Sequence, residues 1–550
     1  MQLESFLEST ARRMPDKTAL VADRSRWTYA ELDAAANRIA HGLMAHGIER
    51  GDRVAICLEN GIQAAVAIFA ALKAGAAFMM VNPTTKADKL RMLLEDSQAA
   101  ALVAPATRLA ALAQTLNGAT NPRLAIVVGR PLSSEFAPAR RCVAWEEILR
   151  DGRDAIPPKR AIDLDLAALA YTSGSTGTPK GVMLTHANLV TAATSIASYL
   201  ENTADDVILN VLPLSFGYGL CQLFTAAKVG ATVVLERSFA YPHAVLQRLV
   251  EHRATGFPLV PTMAAMLLQM DLGKYDWSSL RYLTNAGAAL PVEHVRKLRR
   301  ILPHVRLYLM YGLTECLRAS YLPPEEIDRR PDSVGRGIPN EEAYVVDEEG
   351  RRVGPGVVGE LVVRGSHVMQ GYWNLPAETD RRLRPGPLPG QRVLYTGDLF
   401  RTDEEGYLYF VSRKDDIIKS RGEKVSPREV ENVLCQHPDV AEAAVVGVPD
   451  PILGQAVKAV VVLRPGGATT ERDLLRHCAG RLEDFMTPKF VEIRESLPRT
   501  PNGKIDKRAL VSRPDSPTLP PVQAWTPGNG AAGAELQALG GTPSLAGQGG

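Results

Sequence analysis

The stretch YTSGSTGTPKG, residues 171–181, has the composition of a loop that holds a polyphosphate. Its glycines allow the backbone to turn successive N–H groups toward one anion, its hydroxyls add donors, and Lys180 supplies a positive charge. Clusters of Ser, Thr and Gly otherwise mark ordinary loops. The apolar run 166–171 before the loop predicts a strand, however, and the segment 188–190 after it predicts a helix. A strand, a phosphate loop and a helix in this order indicate an α/β protein that binds a nucleotide.

The loop does not follow the Walker A pattern G-x-x-x-x-G-K-[ST], because Lys180 follows Pro179 and precedes Gly181. A kinase-like or GTPase-like P-loop protein is therefore disfavoured. We expect the phosphates to meet the backbone and hydroxyl groups of this loop together with its lysine. The candidate residues are Thr172, Ser173, Gly174, Ser175, Thr176, Gly177, Thr178 and Lys180.

Length and composition indicate a large globular protein with more than one domain. A chain of 550 residues exceeds one ordinary hydrophobic core, and 45% hydrophobic with 23% charged residues is typical of folded proteins. The formal net charge of +2 gives no reason to expect nucleic acid as a partner. The six cysteines lie far apart without a C-x-x-C pair, which predicts reduced thiols rather than disulfides or a zinc site.

Two further features bear on location. The first residues lack the basic and apolar parts of a secretory signal. The most apolar long stretch, residues 64–81, is interrupted by Lys73 and Gly75, which predicts a helix followed by a strand rather than a membrane span. We therefore expect a cytoplasmic protein without a transmembrane segment.

The chain divides into regions of different pattern. Residues 10–410 alternate helix-like and strand-like segments, which predicts an α/β domain in which helices flank β-sheets. After Arg413, a helix pattern over 427–434 and a strand pattern over 441–448 predict a small α+β module. We expect a large N-terminal domain with several subdomains, a small C-terminal domain and a disordered tail rich in Pro, Gly and Ala, over residues 1–412, 413–513 and 514–550.

A second motif, YGLTE over residues 311–315, follows a strand-like run, and α/β proteins collect ligand groups at the ends of strands. The alternative is a structural turn with a solvated Glu315. A third motif, YTGD over residues 395–398, is followed by Arg413. The carboxylate of Asp398 can accept hydrogen bonds from both ribose hydroxyls, and the alternative is a surface salt bridge to Arg413.

A fourth motif, PRTPNGKI over residues 498–505, places Lys504 at the edge of a predicted Asn-Gly turn. Taken alone, this motif favours an ordinary hairpin with a solvated lysine. In this order along the chain, however, the four motifs resemble those of the adenylate-forming superfamily of acyl-CoA synthetases, luciferases and nonribosomal-peptide adenylation domains. The segments 359–361 and 371–373 match further blocks of that family, and we interpret them as a turn and an aromatic packing site.

The resemblance implies two half-reactions: a carboxylic acid reacts with ATP to give an acyl-AMP and pyrophosphate, and a thiol then accepts the acyl group. It implies Mg²⁺ on Glu315 and a small domain that rotates about a hinge at Asp415, with Gly422 on the path of the pantetheine arm. It assigns catalysis to Thr314, Glu315, Lys419 and Lys504. Beside the loop residues, it assigns ATP or AMP binding to Gly287, Ala288, Tyr311, Gly312, Asp398 and Arg413.

The acid is predicted from the block LPLSFGYG, residues 212–219. Many acyl-CoA synthetases have a histidine in this block, and amino-acid-activating domains usually have an aspartate there. This chain has neither, and a buried ammonium without a carboxylate partner is costly, which argues against an α-amino acid. We expect a fatty or aromatic acid in a pocket formed by Ser215, Phe216 and Tyr218, although both rings could equally belong to the core.

Several functions remain open at this point. The acyl acceptor is either CoA or the phosphopantetheine of an acyl carrier protein. A luciferase-like oxygenase would use the same adenylate, although nothing in the sequence calls for oxygen chemistry. A non-catalytic relative should have lost Lys180, Glu315, Asp398 or Lys504, and all four are present. We therefore expect an ATP- and Mg²⁺-dependent acid–thiol ligase that acts on a small carboxylic acid and not on nucleic acid.

Overall fold

The computed structural model describes residues 1–108, 121–129, 141–173, 179–414, 416–420, 423–450, 453–500 and 503–511. Its α-helices are α1 (Ser5–Arg13), α2 (Tyr29–Ala45), α3 (Ile62–Lys73), α4 (Ala87–Asp96), α5 (Trp145–Asp151), α6 (His186–Tyr199), α7 (Gly217–Val229), α8 (Pro242–Glu251), α9 (Pro261–Leu267), α10 (Val292–Ile301), α11 (Pro376–Arg382), α12 (Pro427–Cys435) and α13 (Glu471–Ala479).

The strands carry the remaining regular structure. They are β1 (Thr18–Ala22), β2 (Ser25–Thr28), β3 (Arg53–Ile56), β4 (Ala77–Met80), β5 (Ala101–Pro105), β6 (Leu124–Val128), β7 (Arg141–Ala144), β8 (Leu166–Ser173), β9 (Pro179–Thr185), β10 (Val207–Asn210), β11 (Thr232–Leu235), β12 (Gly256–Leu259), β13 (Tyr282–Asn285), β14 (Arg306–Tyr311), β15 (Ser320–Tyr321), β16 (Arg336–Gly337), β17 (Glu341–Val346), β18 (Gly359–Gly365), β19 (Gly371–Tyr372), β20 (Leu383–Pro385), β21 (Arg392–Thr402), β22 (Leu408–Arg413), β23 (Ile418–Ser420), β24 (Glu423–Val425), β25 (Val440–Asp450), β26 (Gly454–Leu463) and β27 (Phe490–Ile493).

One sheet has the strand order β16-β15-β14-β13-β12-β10-β11-β1-β2. Its central strands from β11 to β14 pair in parallel, and β11, β12 and β13 are buried along their whole length. Full burial is typical of parallel strands, because helices cover both faces of such sheets. The segments that follow parallel strands leave the sheet at one edge, so the loops after β10, β12, β13 and β14 meet there.

A second sheet has the order β19-β9-β8-β4-β3-β5-β6-β7. The stretch 171–181 joins two antiparallel strands, β8 and β9, in which Thr172 lies opposite Lys180, and helix α6 begins only at His186. The helix predicted over 188–190 is confirmed within α6, whereas strand β9 between the loop and that helix was not predicted. Val182 and Leu184 are buried while Met183 between them is half-exposed, and this period of two favours a strand.

Two further sheets complete the described structure, one antiparallel and one mixed, since β26 and β27 pair in parallel. The third contains β17, β18, β21 and β20, with β22 paired to β21. The fourth contains β23 to β27, and α12 and α13 contribute buried side chains to the apolar cluster beside it. The predicted helix 427–434 and strand 441–448 are confirmed as α12 and β25. Met1–Ser512 form one compact unit, so the division between residues 412 and 413 stays a prediction, and the predicted tail lies outside the described residues.

The most apolar stretch of the sequence, residues 64–81, lies in the hydrophobic core. Helix α3 is buried at every position except Gln63, because its sequence is apolar on all sides, and β4 follows it as predicted. Lys73 at the end of α3 is also buried, with Nζ 2.9 Å from carboxylate oxygens of both Glu8 and Asp33. Within the described residues, no helix has the length and apolar character needed to cross a bilayer.

Candidate active site

The predicted catalytic lysine reaches the carboxyl edge of the first sheet from the C-terminal region. Nζ of Lys504 lies 5.9 Å from the ring centre of Phe216, which follows β10. A Cβ atom added to Gly287, which follows β13, would lie 3.8 Å from Cε of Lys504. The structure thus gathers residues from three of the predicted motifs around one cleft.

A tight turn presents Lys504, as the sequence predicts. The N–H of Thr500 donates to the carbonyl of Lys504 over 2.8 Å, and the N–H of Gly503 donates to the carbonyl of Thr500 over 2.9 Å. Gly503 adopts a φ of +78°, a value that favours glycine. Residues 501 and 502 lie outside the described residues.

The electrostatic surroundings of Lys504 link both halves of the cleft. Its side chain is exposed, yet protein atoms lie close around it. The resulting desolvation is the largest effect and lowers the pKa of Lys504, assisted by the charge of Arg413 and opposed by Asp398 and Glu315. The ammonium therefore lies within electrostatic reach of both the ribose candidates and the Mg²⁺ candidate.

Asp398 and Arg413 form one side of the cleft. They lie opposite each other on β21 and β22, with Nε of Arg413 3.5 Å from Oδ1 of Asp398. The Tyr311 hydroxyl donates to Oδ2 of Asp398 over 2.6 Å. Oδ1 is buried and has no hydrogen-bond partner among the described residues, and burial raises the pKa of this carboxyl. A buried acceptor of this kind fits a ribose hydroxyl.

Tyr311 and the segment 285–288 at the end of β13, which contain positions assigned to ATP or AMP binding, are the candidates for contact with the adenine. The Tyr311 ring packs edge-on against Phe400, with ring centres 4.9 Å apart. The side-chain amide of Asn285 donates to the carbonyl of Ala288 over 3.1 Å, and its Oδ1 is buried without a partner among the described residues. This orphaned acceptor can take a hydrogen bond from a base, which fits the predicted role of the segment.

The phosphate and metal candidates are held by partners that the sequence analysis missed. Nζ of Lys180 lies 2.8 Å from Oε2 of Glu378. The Tyr372 hydroxyl donates to Oε1 of Glu315 over 2.7 Å, so the interpretation of segment 371–373 as packing alone is incomplete. Glu378 lies 198 positions from Lys180, and no local signal in the sequence points to this pair.

Glu315 fits Mg²⁺ as one ligand of a shared site. In the described part of the chain, no three His, Cys, Asp or Glu side chains gather as a metal site. Mg²⁺ in nucleotide enzymes is commonly held by one or two carboxylates together with phosphate oxygens. Thr314 is half-buried beside Glu315 on the same turn, where its hydroxyl can add a contact to phosphate.

The acyl candidates line the loop after β10. The rings of Phe216 and Tyr218 meet edge-to-face, with centres 6.1 Å apart. The hydroxyl of Ser215 is buried without a partner among the described residues. Arg318, which the sequence analysis did not name, lies with its guanidinium carbon 5.0 Å from the Tyr218 ring centre. A charged residue three positions after Glu315, among small and apolar neighbours, was the available signal.

Some of the predicted site residues lie away from the cleft, and others lie outside the described residues. Lys419 is exposed on β23, and among the described contacts none joins its side chain to the cleft. Nothing is described of the Ser173 side chain. The remaining predicted positions outside the described residues are Gly174, Ser175, Thr176, Gly177, Thr178, Asp415 and Gly422.

Comparison with known proteins agrees with this geometry. The profile described as AMP-binding enzyme matches residues 7–373, and the profile described as AMP-binding enzyme C-terminal domain matches residues 429–504. Indoleacetate–CoA ligase of Aromatoleum aromaticum is 34% identical, with 93% of this chain and 99% of that protein covered. Long-chain-fatty-acid–CoA ligase of Bacillus subtilis is 32% identical, with 92% and 94% covered.

A solved structure extends the comparison to three dimensions. ATP-bound MatB from Rhodopseudomonas palustris superposes with a TM-score of 0.82 at 28% identity, with 93% of this chain and 98% of that chain covered. Both profiles fall on regions that hold site candidates, since Lys180 and Glu315 lie in the first match and Lys504 ends the second. The chain therefore belongs to the AMP-binding enzyme family.

Proposed function

We propose that the protein is an AMP-forming ligase that activates a carboxylic acid with ATP and transfers the acyl group to the thiol of CoA. The position of Lys504 carries this proposal. Its ammonium lies beside Phe216 at the acyl end and within electrostatic reach of Asp398 and Glu315 at the nucleotide end. A lysine between the two ends can hold oxygens of the attacking carboxylate and of the α-phosphate at once.

In the first half-reaction, a carboxylate oxygen forms a bond to the α-phosphorus of ATP, and the bond from that phosphorus to the pyrophosphate oxygen breaks. Asp398 orients the ribose through Oδ1, which lies in an ion pair with Arg413 but accepts no hydrogen bond from the described residues. Lys180 exchanges its Glu378 partner for phosphate, and Lys504 stabilises the charge that develops around the α-phosphate. Mg²⁺ on Glu315, when bound, neutralises charge on the leaving pyrophosphate.

In the second half-reaction, the CoA thiolate attacks the acyl carbonyl carbon, and the bond from that carbon to the AMP oxygen breaks. The same proposal includes a small domain, residues 413–513, that rotates against residues 1–412 about Asp415. Lys419 is exposed in the described arrangement, which suits a residue that acts only after such a rotation. Gly422 would then border the pantetheine arm, since glycine lets a ligand approach the backbone closely.

The substrate class in this proposal is a fatty or aromatic acid. The names of the two relatives include one acid of each class, and Phe216 and Tyr218 supply apolar walls. CoA is the proposed acceptor because both of those relatives are CoA ligases, and the phosphopantetheine of a carrier protein is the alternative. A cytoplasmic location belongs to the same proposal.

The test is product analysis by mass spectrometry. The protein is incubated with ATP, Mg²⁺ and a panel of fatty, aromatic and amino acids, with and without CoA, beside the Lys504→Ala variant. We expect acyl-CoA from one acid class, formed only with CoA, and acyl-AMP without it. Acyl-AMP that persists in the presence of CoA would indicate that the acyl acceptor is a carrier protein rather than CoA. The absence of adenylate from every acid would contradict the proposal.

A further inference from the structure

Arg318 is a charged side chain in the interior of the large region. Its relative exposure is 2%, which makes it one of the most deeply buried large side chains in the described structure. Nε is buried without a hydrogen-bond partner, and no described carboxylate forms an ion pair with the guanidinium. Buried charges in proteins are normally paired, because an unpaired charge loses its hydration without compensation.

The titratable groups that sense the charge of Arg318 do not supply a counter-ion. They are the hydroxyls of Tyr199 and Tyr218 and the thiols of Cys221 and Cys316. Burial raises the pKa of all four, that of Cys221 to about 11, despite the opposing effect of the Arg318 charge. All four groups are therefore neutral at pH 7.

The contact with Tyr218 satisfies only part of the guanidinium. The guanidinium carbon lies 5.0 Å from the centre of this ring, which is a cation–π distance. That interaction is an attraction between the charge and the ring face, and it provides no hydrogen-bond acceptor for the N–H groups. The N–H donors of arginine point outward in the plane of the guanidinium, and Nε of Arg318 has no acceptor among the described residues.

An unusual backbone turn positions Arg318. Its N–H donates to the carbonyl of Cys316 over 2.6 Å, and Leu317 between them has a φ of +63°. A bulky residue with positive φ is strained, and such strain concentrates at functional sites. Gly312 makes room for the turn, because a Cβ atom there would lie 2.5 Å from the carbonyl oxygen of Leu317 and 2.9 Å from Cα of Arg318.

The same contacts locate Arg318 relative to the reacting end of the substrate. Lys504 lies over Phe216, the ring of Phe216 meets the ring of Tyr218, and Tyr218 lies under Arg318. Two aromatic residues thus separate the two cations. A group that reaches Arg318 is therefore distinct from the carboxylate that reacts beside Lys504, and the two aromatic rings lie between the two cations along this series of contacts.

We propose that Arg318 binds a second, anionic oxygen group of the acid substrate. The preferred substrate is then a dicarboxylic acid whose apolar chain or ring lies along Phe216 and Tyr218, with one carboxylate at Lys504 and the other at Arg318. This inference rests on the proposed function and narrows its substrate. A carboxylate can accept two hydrogen bonds from a guanidinium, and such charge-assisted pairs are strong.

The test compares matched acids in the adenylation step, measured as acid-dependent ATP–pyrophosphate exchange. The pairs are octanedioic acid with octanoic acid, and 4-carboxyphenylacetic acid with phenylacetic acid. We expect kcat/KM to be about 10- to 100-fold higher for the dicarboxylic member of at least one pair. Arg318→Met should remove this preference. It should leave kcat/KM for the monocarboxylic member and the KM for ATP within a few-fold of wild type. Arg318→Lys should restore part of the preference.

A control and a second readout separate this inference from the proposed function. Arg296→Met, at an exposed position of α10, should change neither ratio. Calorimetric titration with octanedioate and 4-carboxyphenylacetate reports binding without turnover, and Arg318→Met should weaken it at least 10-fold. Equal use of both acids by wild type and variant, with adenylate formed, would overturn the inference and leave the function standing. Undetectable binding of both diacids would overturn it even if no adenylate forms.

Discussion

The nucleotide end and the acyl end of the cleft treat their charged groups in opposite ways. At the nucleotide end, Lys180 is paired with Glu378, Glu315 accepts a hydrogen bond from Tyr372, and Asp398 accepts one from Tyr311 through Oδ2, while its Oδ1 accepts none from the described residues. At the acyl end, Nε of Arg318 is buried without an acceptor in the described structure.

This difference affects how strongly a charged group can bind a ligand. A group that is already paired must exchange its partner when ATP binds, so the net gain from its new contact is small. A group without a partner has already lost its hydration, so a matching ligand group gains most of the interaction. We infer that the nucleotide end binds ATP with moderate strength, and that the acyl end discriminates sharply between acids.

The largest expected effect comes from Lys504, which lies between the two ends. Lys504→Ala should lower the rate of acyl-AMP formation by about 100- to 1000-fold, because it removes a positioned charge at the reacting phosphorus. Conversion of supplied acyl-AMP to acyl-CoA should stay within a few-fold of wild type. Single-turnover assays of the two half-reactions measure both rates. Equal loss of both would contradict the assigned role.

The next effect tests the unsatisfied acceptor at the nucleotide end. Asp398→Asn should raise the KM for ATP by about 10- to 100-fold, because a neutral amide is a weaker partner for ribose hydroxyls than a carboxylate. Wild type should also prefer ATP to 2′-deoxy-ATP, and the variant should lose that preference. Steady-state kinetics with both nucleotides decide the matter, with Glu404→Gln as an exposed control. An unchanged nucleotide dependence would remove Asp398 from the ribose site.

The pH dependence tests the shared surroundings of Lys504. Desolvation by the surrounding protein lowers the pKa of this lysine, so its ammonium is lost at a lower pH than that of an ordinary lysine, whose pKa is about 10.4. Acyl-AMP formation should therefore fall on the alkaline side of the profile. Lys504→Arg, which stays charged, should abolish this fall. The same alkaline limb in the variant would assign it to another group.

The smallest effect tests the paired state of Lys180. Glu378→Gln removes the ion pair that Lys180 must leave when phosphate binds. The KM for ATP should fall by up to about fivefold, since partly exposed pairs contribute about 1 kcal/mol or less. Glu325→Gln, a change at another surface carboxylate, serves as the control. A rise in KM would instead mean that Glu378 helps to position the lysine for ATP.

Local sequence patterns predicted most of the regular elements near the site. The helix and strand over 64–81, the strand before Tyr311 and the α12–β25 unit each follow from side chains close in sequence. Around the stretch 171–181, the strand before it and the helix over 188–190 were predicted, but strand β9 between the loop and the helix was not. The glycines and hydroxyls of this stretch indicate a phosphate loop, but they do not say whether a strand or a helix follows, and the burial of Val182 and Leu184 in the second sheet decides this.

Long-range contacts explain what the sequence could not supply. The partner of Glu315 is Tyr372, 57 positions away, and the pairing depends on how β19 lies against β9. The isolation of Arg318 is likewise a property of its three-dimensional neighbours, since its charge acts on Tyr199, Tyr218 and Cys221, which lie about 100 or more positions away in sequence. Sequence motifs identified the groups that act on ATP, whereas the group that selects the acid became visible only through its contacts.

The most direct measurement is a crystal structure with a non-reactive sulfamoyl analogue of the adenylate of octanedioic acid. We expect the ribose hydroxyls on Asp398, the sulfamoyl group beside Lys504 and the far carboxylate on the guanidinium of Arg318. The far carboxylate of the ligand would then be the acceptor that Arg318 lacks in the described structure. An adenosine that lies elsewhere, or an Arg318 that keeps a protein acceptor while the acyl chain points away from it, would contradict this arrangement.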